Sequence, residues 1–328
     1  MKSKKNILGN IRKTRKYNYD HTLITNSYIS HSFQSMTSKY SFQQKKDYLH
    51  KLIEYCFTEL SIKNYNLLTN LIYTDIHNMK TDYDIFNRIF IFYKSLHKDN
   101  FVGYSMSVDD YIMSKIKQME SIITPFYLEK QKKSVLVDIG AGDCAISSAL
   151  GKYNNMDTYA IDIKQDMDWG SSSEVSHCSH VHHLFYDGTN LIETVKNKTV
   201  KPVGIIMYNH SLHHFGSFDN IKFSLSQSYK LLKKGGILFL REHNLHNNIS
   251  INLQHIFLSL KYTITHHPDW KFEQTWKYME HFIKTYTSHF FMKKNIISLC
   301  KQLGFKLINI SKTPKYDISK TTLYAFIK

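Results

Sequence analysis

The stretch Ser134–Leu150, SVLVDIGAGDCAISSAL, constrains this chain more than any other. Val135-Leu136-Val137-Asp138-Ile139 is a short apolar run rich in β-branched residues, the pattern of a parallel strand buried on both faces. Gly140-Ala141-Gly142-Asp143-Cys144 follows as a turn, and Ala145–Leu150 brings small and apolar residues at helical spacing. Strand, glycine turn and helix form the opening unit of nucleotide-binding α/β sheets, whose ligands lie beyond the carboxyl ends of the strands. Gly140 and Gly142 lack the Cβ that would hold a ligand off the backbone, and they accept positive φ.

Taken alone the turn has two readings. Gly140-x-Gly142-x-x-Ala145 satisfies the dinucleotide fingerprint, so the residues beyond it must decide. Thr158–Asp162 reads as a second strand whose terminal carboxylate lies twenty residues past Gly142, the separation of an acid that binds ribose hydroxyls. His182–Gly188 reads as a third strand ending in Asp187-Gly188. Val203–Tyr208 is a fourth, followed by Asn209-His210-Ser211-Leu212-His213-His214-Phe215. A helix then runs to Lys233-Lys234-Gly235-Gly236, with Gly235 expected as its C-terminal cap. Ile237–His243 is a fifth strand with the polar tip Arg241-Glu242-His243. A helix over Met292–Leu303 precedes two final strands, Lys306–Ile310 and Thr321–Ile327.

Asp138 before alternating glycines, Leu212-His213-His214-Phe215 after an apolar strand, a helix entering Leu231-Leu232-Lys233-Lys234-Gly235-Gly236-Ile237-Leu238, and the closing hairpin all resemble the class I S-adenosylmethionine (SAM) methyltransferases. The resemblance runs from about Ser134 to the C-terminus, with Cys144 standing where a third glycine is usual. It implies an α/β fold, a Rossmann-like seven-stranded mixed sheet, with SAM as cofactor and methyl transfer as the activity. By the same resemblance Asp138, Gly140, Ala141 and Gly142 line the cofactor, Asp162 and Ile163 take its ribose, Asp187 and Gly188 its adenine, and Asn209 closes the site. His210, Glu242 and His243, at the strand tips, are the catalytic candidates if the acceptor must lose a proton. A nicotinamide-dependent oxidoreductase, favoured only by Ala145, and a catalytically silent RNA-binding subunit stand as alternatives. The turn after the fourth strand is not Asn/Asp-Pro-Pro-aromatic, which disfavours exocyclic base nitrogens as acceptors. Asn209 stands where 2′-O-methylating enzymes carry the aspartate of a Lys-Asp-Lys-Glu set. A ring nitrogen such as a cap guanine, a tRNA wobble position, a protein side chain and a small metabolite remain open.

The other segments are read from composition and period. Residues 1–20 hold seven basic side chains, Lys2 to Lys16, before any acid, and read as a disordered basic arm. Residues 21–105 read as a helical N-terminal domain, from apolar stripes at Leu49–Leu60, Leu67–Ile72 and Ile85–Leu96. Residues 106–328 form the methyltransferase-like domain; its first helix, Tyr111–Tyr127, is expected as a lid over the cofactor, kinked or ended at Pro125. An insertion at about 244–291 carries Trp270 and Trp276 and forms either a wall of the substrate pocket or a helical extension packed on the N-terminal domain. The net charge of +16 points to an acidic partner, RNA through the basic arm. A chain with five alanines and abundant Lys, Asn, Ile and Tyr is equally what AT-rich coding would produce. Four scattered cysteines read as reduced thiols in the cytoplasm. The run His177-Cys178-Ser179-His180-Val181-His182-His183 matches no standard zinc spacing and reads as a polar surface loop, with no metal. No apolar run approaches the ~20 residues that span a bilayer, so no membrane partner is expected, and the sequence sets no oligomeric state.

Overall fold

The computed structural model describes residues 24–25, 60–75, 82–96, 108–123, 125–142, 144–162, 180–243, 259–260, 263–264, 267–285, 289–312 and 321–328. The basic arm, most of the first apolar stripe, Ile163 and residues 244–258 of the insertion lie outside the described residues.

Seven strands form one sheet: β1 (Val135–Ile139), β2 (Asp157–Asp162), β3 (His182–Phe185), β4 (Val203–Asn209), β5 (Leu232–His243), β6 (Lys306–Lys312) and β7 (Thr321–Ile327). Their order is β3-β2-β1-β4-β5-β7-β6. The first five run parallel, and β7 lies antiparallel between β5 and β6. This is the Rossmann-like class I methyltransferase arrangement. The order reverses between β1 and its neighbours β2 and β4, so a crevice opens at the carboxyl ends of those strands. β1 is buried over its whole length, its four apolar residues and Asp138 alike.

Helices cover both faces. On one, α3 (Val108–Ile122) and α5 (Ala145–Tyr153) pack Ile112, Ile116, Met119, Ile146 and Leu150 against Leu136, Ile205, Met207, Ile237 and Phe239. On the other, α7 (Phe218–Leu231) and α9 (Lys293–Gln302) close over Val137, Ile206, Leu238 and Leu240. The alternation along β5 divides its tip: Phe239 and Arg241 belong to the α3 side, Leu240 and Glu242 to the α7 side. α7 starts at Ser217, whose Oγ accepts from Asn220 N at 3.1 Å. It is tied to β4 where the buried Tyr208 hydroxyl meets Ser224 Oγ at 2.6 Å and Ser228 Oγ at 2.8 Å, one turn apart.

Several expectations are corrected in detail. α3 ends at Ile122, and Pro125 opens the short helix α4 (Pro125–Glu129), a first-turn position where its missing N–H costs nothing. α3 is a layer on the sheet face, with Ile116 and Met119 almost fully buried. α7 stops at Leu231 because Leu232 is already extended, so Gly235 sits inside β5 with φ +75° and caps no helix. The third strand is shorter than expected, leaving Tyr186, Asp187 and Gly188 in a loop. Cys144 is disulfide-bonded, which corrects the reading of four reduced thiols, while Cys300 is free and buried. Sequence separation does not reveal which cysteines a fold brings together.

Before the sheet lie α1 (Ile62–Asp75) and α2 (Asp82–Ser95). α2 packs on α8 (Phe272–Thr285), a helix of the insertion. Tyr83 meets Phe272 and Trp276 edge-on with ring centroids 4.9 and 5.2 Å apart. Phe86 and Phe90 complete the cluster, and Lys94 Nζ donates to the carbonyls of Pro268 and Trp270 at 2.6 and 2.8 Å. Ile24–Thr25 pairs antiparallel with His289–Phe290. No helix among the described residues is long and apolar enough to cross a membrane.

Candidate active site

At the tip of β1 the chain passes through positive φ at Gly140 (+68°), Gly142 (+51°) and Cys144 (+47°). Gly140 N and Ala141 N both donate to Ile161 O, at 2.8 and 3.2 Å, which bends the loop toward β2. The two glycines serve different ends. A Cβ on Gly140 would lie 2.5 Å from Ser211 Cβ, so this glycine lets the tips of β1 and β4 meet, and Ser211 Oγ donates to Ile139 O there. A Cβ on Gly142 would meet nothing within 4 Å. Space is thus open beside Gly142, and its N–H donates to Asp162 Oδ2 at 3.3 Å. The glycine turn and the strand-end acid, twenty residues apart, thus form one unit. Asp138, at the end of β1, is buried.

Asp187 holds a turn. Its Oδ1 accepts from Thr189 N and Thr189 Oγ1, both at 2.8 Å, and from Asn190 N at 3.2 Å. The Thr189 backbone N–H leads in holding its carboxyl below the usual range. This turn sets the start of α6 (Leu191–Lys196) and leaves Gly188 at φ +87° with open space where a side chain would be.

The tips of β4 and β5 carry an imidazole cluster. Glu242 is buried, with Oε1 accepting from Leu212 N at 3.1 Å and Oε2 lying 2.6 Å from His213 Nδ1. Burial pushes its carboxyl up to about 7, against the pull of the neighbouring imidazoles and backbone donors. The His213 and His243 rings lie 5.1 Å apart, as do His243 and His210. His210 adopts φ +60°, unusual for a residue with a side chain, and its N–H donates to Arg241 O at 2.9 Å. Desolvation first, then the charges of His243, Arg241, His213 and Lys115, hold its imidazole well below the ordinary range. It is therefore a neutral imidazole at pH 7. Lys115 of α3 is itself buried, and Arg241 Nη1 donates to Gln118 Oε1 at 2.5 Å. Asn209, at the end of β4, has a buried Oδ1 without a hydrogen-bond partner.

The structure thus brings Gly140, Ala141, Gly142 and Asp162 into one loop–strand unit, and His210, Glu242 and His243 into one cluster with His213. Asp187 and Gly188 lie on the loop after β3. His213, Lys115 and Ser211 are additions. The signal for His213 was the second histidine of the turn preceding an acid at the next strand tip; nothing marked Lys115 on the helix read as a lid. Among the described residues no cluster of His, Cys, Asp or Glu is arranged to hold a metal ion.

No protein-family profile matches the chain, and no curated protein resembles it significantly in sequence. Solved structures do resemble it. A 1,6-didemethyltoxoflavin-N1-methyltransferase of Burkholderia thailandensis, with 1,6-didemethyltoxoflavin and S-adenosylhomocysteine bound, is 12% identical, with 66% of this chain and 80% of that one covered at a TM-score of 0.42. The N-methyltransferase NodS of Bradyrhizobium japonicum, in complex with S-adenosylhomocysteine, is 11% identical over 74% of this chain and 98% of that one, at a TM-score of 0.43. An O-methyltransferase family protein of Burkholderia thailandensis is 11% identical over 90% and 76%, at 0.41. At such scores the fold assignment rests on strand order and direction.

Proposed function

We propose that the chain is a SAM-dependent methyltransferase. The observation that carries this reading is the turn at Gly142, with open space beside it and fastened to the Asp162 carboxylate. A carboxylate at that place accepts both hydroxyls of a ribose, and a backbone bare at Gly142 and Gly188 admits a nucleoside. Asp138 and Asn209, with its unused buried Oδ1, stand near the carboxyl ends of the adjacent strands β1 and β4. These residues fit SAM, which when bound supplies a sulfonium methyl already activated for transfer, so alignment is the protein's main task. Ala145, the sole support for a nicotinamide reading, packs in the α3 cluster, where a small side chain has its own reason.

His210 is the residue we assign to take the acceptor's proton. Glu242 has both carboxylate oxygens engaged inside the protein, so its role is to position His213 and the turn that carries His210, with His243 packed between the rings. The acceptor we favour is RNA, on the net charge and the basic arm. Trp276 does not serve as a base-stacking platform in this reading, since its ring is committed to Tyr83, Phe86 and Phe272.

Titration calorimetry with SAM, S-adenosylhomocysteine and NAD tests the cofactor: the first two should bind at micromolar concentration and NAD should not. Asp162→Ala should weaken SAM at least tenfold, because it removes two charge-assisted hydrogen bonds worth roughly 1.5–3 kcal/mol each. Unchanged affinity would remove the ribose from Asp162. Tritiated SAM offered with total RNA, total protein and a small-molecule extract tests the acceptor, and label in the small-molecule fraction alone would exclude RNA.

A further inference from the structure

The amino-terminal edge of the sheet, opposite the crevice, is unusually rich in positive charge. Three segments meet there: 129–133 before β1, 196–201 before β4, and 230–234 entering β5. Each contributes three lysines, and Lys328 at the end of β7 is a tenth. They form one surface because hydrogen bonds tie the segments together. Val135 N donates to Pro202 O at 2.9 Å, Gln131 Nε2 to Gly235 O at 3.0 Å, and Lys328 N to Gly236 O at 3.0 Å. Lys233 Nζ reaches back to Lys130 O at 2.9 Å.

Among the described residues two acids face this row, Glu129 against Lys132 and Asp157 against Lys201, each pair at 2.6 Å. The carboxyl edge instead carries Asp138, Asp162, Asp187 and Glu242. At the carboxyl edge these acids stand beside Arg241 and Lys115, whereas at the amino-terminal edge ten lysines face two acids, so the lysine excess is concentrated at that edge. Neighbouring strands lie about 4.8 Å apart, so the row from β1 through β4 and β5 to β7 runs roughly 15 Å. A line of that length suits successive phosphates of a polynucleotide. A lipid surface calls for apolar side chains inserted beside the cations, and Val200 is the one exposed apolar residue of the three segments.

We propose that this edge is a docking surface for the phosphate backbone of single-stranded RNA, separate from the catalytic crevice. The proposal rests on charge placement alone and stands whether or not RNA is the methyl acceptor. Phosphate contacts hold a strand without reading its bases, so binding is independent of sequence.

The test is fluorescence anisotropy of a labelled oligouridylate, about 20 nucleotides long, with the full chain over a salt series. Affinity should fall steeply with salt. The triple variant Lys132→Gln/Lys198→Gln/Lys234→Gln should bind at least tenfold more weakly at about 0.1 M salt, with the log–log salt slope reduced by about two. A control of equal charge change elsewhere, Lys271→Gln/Lys277→Gln/Lys294→Gln, should bind as the parent does. Calorimetry with SAM on the same variants separates this proposal from the cofactor assignment, since the edge variant should retain SAM binding. Equal weakening in both triple variants would reduce the effect to net charge and overturn the proposal. Unchanged binding in the edge variant would do the same, as would loss of binding to phosphatidylserine vesicles with RNA binding intact.

Discussion

Replacing either glycine of the β1 turn by alanine separates packing from binding. Gly140→Ala places a methyl against Ser211 at positive φ, and should cost roughly 2–5 kcal/mol from left-handed strain and overpacking combined. Gly142→Ala meets only the strain, about 1–2 kcal/mol, yet it fills the open space beside the turn. Urea unfolding should rank Gly140→Ala as far the less stable, while calorimetry should find SAM binding impaired in the folded Gly142→Ala protein. Glu242 gives a pH prediction. Its carboxyl titrates near 7 in the folded chain against 4.5 as a free group. Between those values the folded form holds a proton that the unfolded form has lost, so stability from this group is fully present below about 4.5 and is lost as pH rises to about 7. Glu242→Gln keeps an acceptor for Leu212 N and cannot ionise. Its unfolding free energy should therefore decline less than the parent's between pH 5 and 8; parallel declines would show that Glu242 is not the group titrating.

At the scale of elements, what the sequence disclosed was local. The apolar runs and the residues that bound them located β1, β2, β4 and β7 to within a residue or two, and the glycine turn with its distant acid proved to be one hydrogen-bonded unit. Elements whose fate depends on remote partners were not legible. Gly235 has the local chemistry of a helix cap, yet pairing of Leu232 with Val203 draws the chain into β5 five residues before Ile237. The contact of His213 with Glu242 spans 29 residues and leaves no trace in spacing. Trp276 was open between pocket wall and helical packing, and the α2–α8 contact favours packing. Trp276→Ala should accordingly destabilise the chain by about 2–4 kcal/mol and leave SAM affinity unaltered. A variant of full stability with weakened ligand binding would return that indole to the pocket.

For the whole molecule, the placement of β7 has a kinetic consequence. β6 reaches the sheet only through β7, and β5 has no neighbour on that side until β7 arrives nearly eighty residues later in the chain. During synthesis Ile237, Leu238, Phe239 and Leu240 therefore end in an open strand edge that no earlier segment can cover. Pairings so distant in sequence form slowly, and an unpaired apolar edge is a template for other chains. Refolding from urea should show a slow phase whose rate falls in variants that weaken the β5–β7 ladder, such as Phe326→Ala, and whose yield drops as protein concentration rises. Nascent chains halted before Thr321 should be those captured by chaperones, while chains released with β7 complete should escape them.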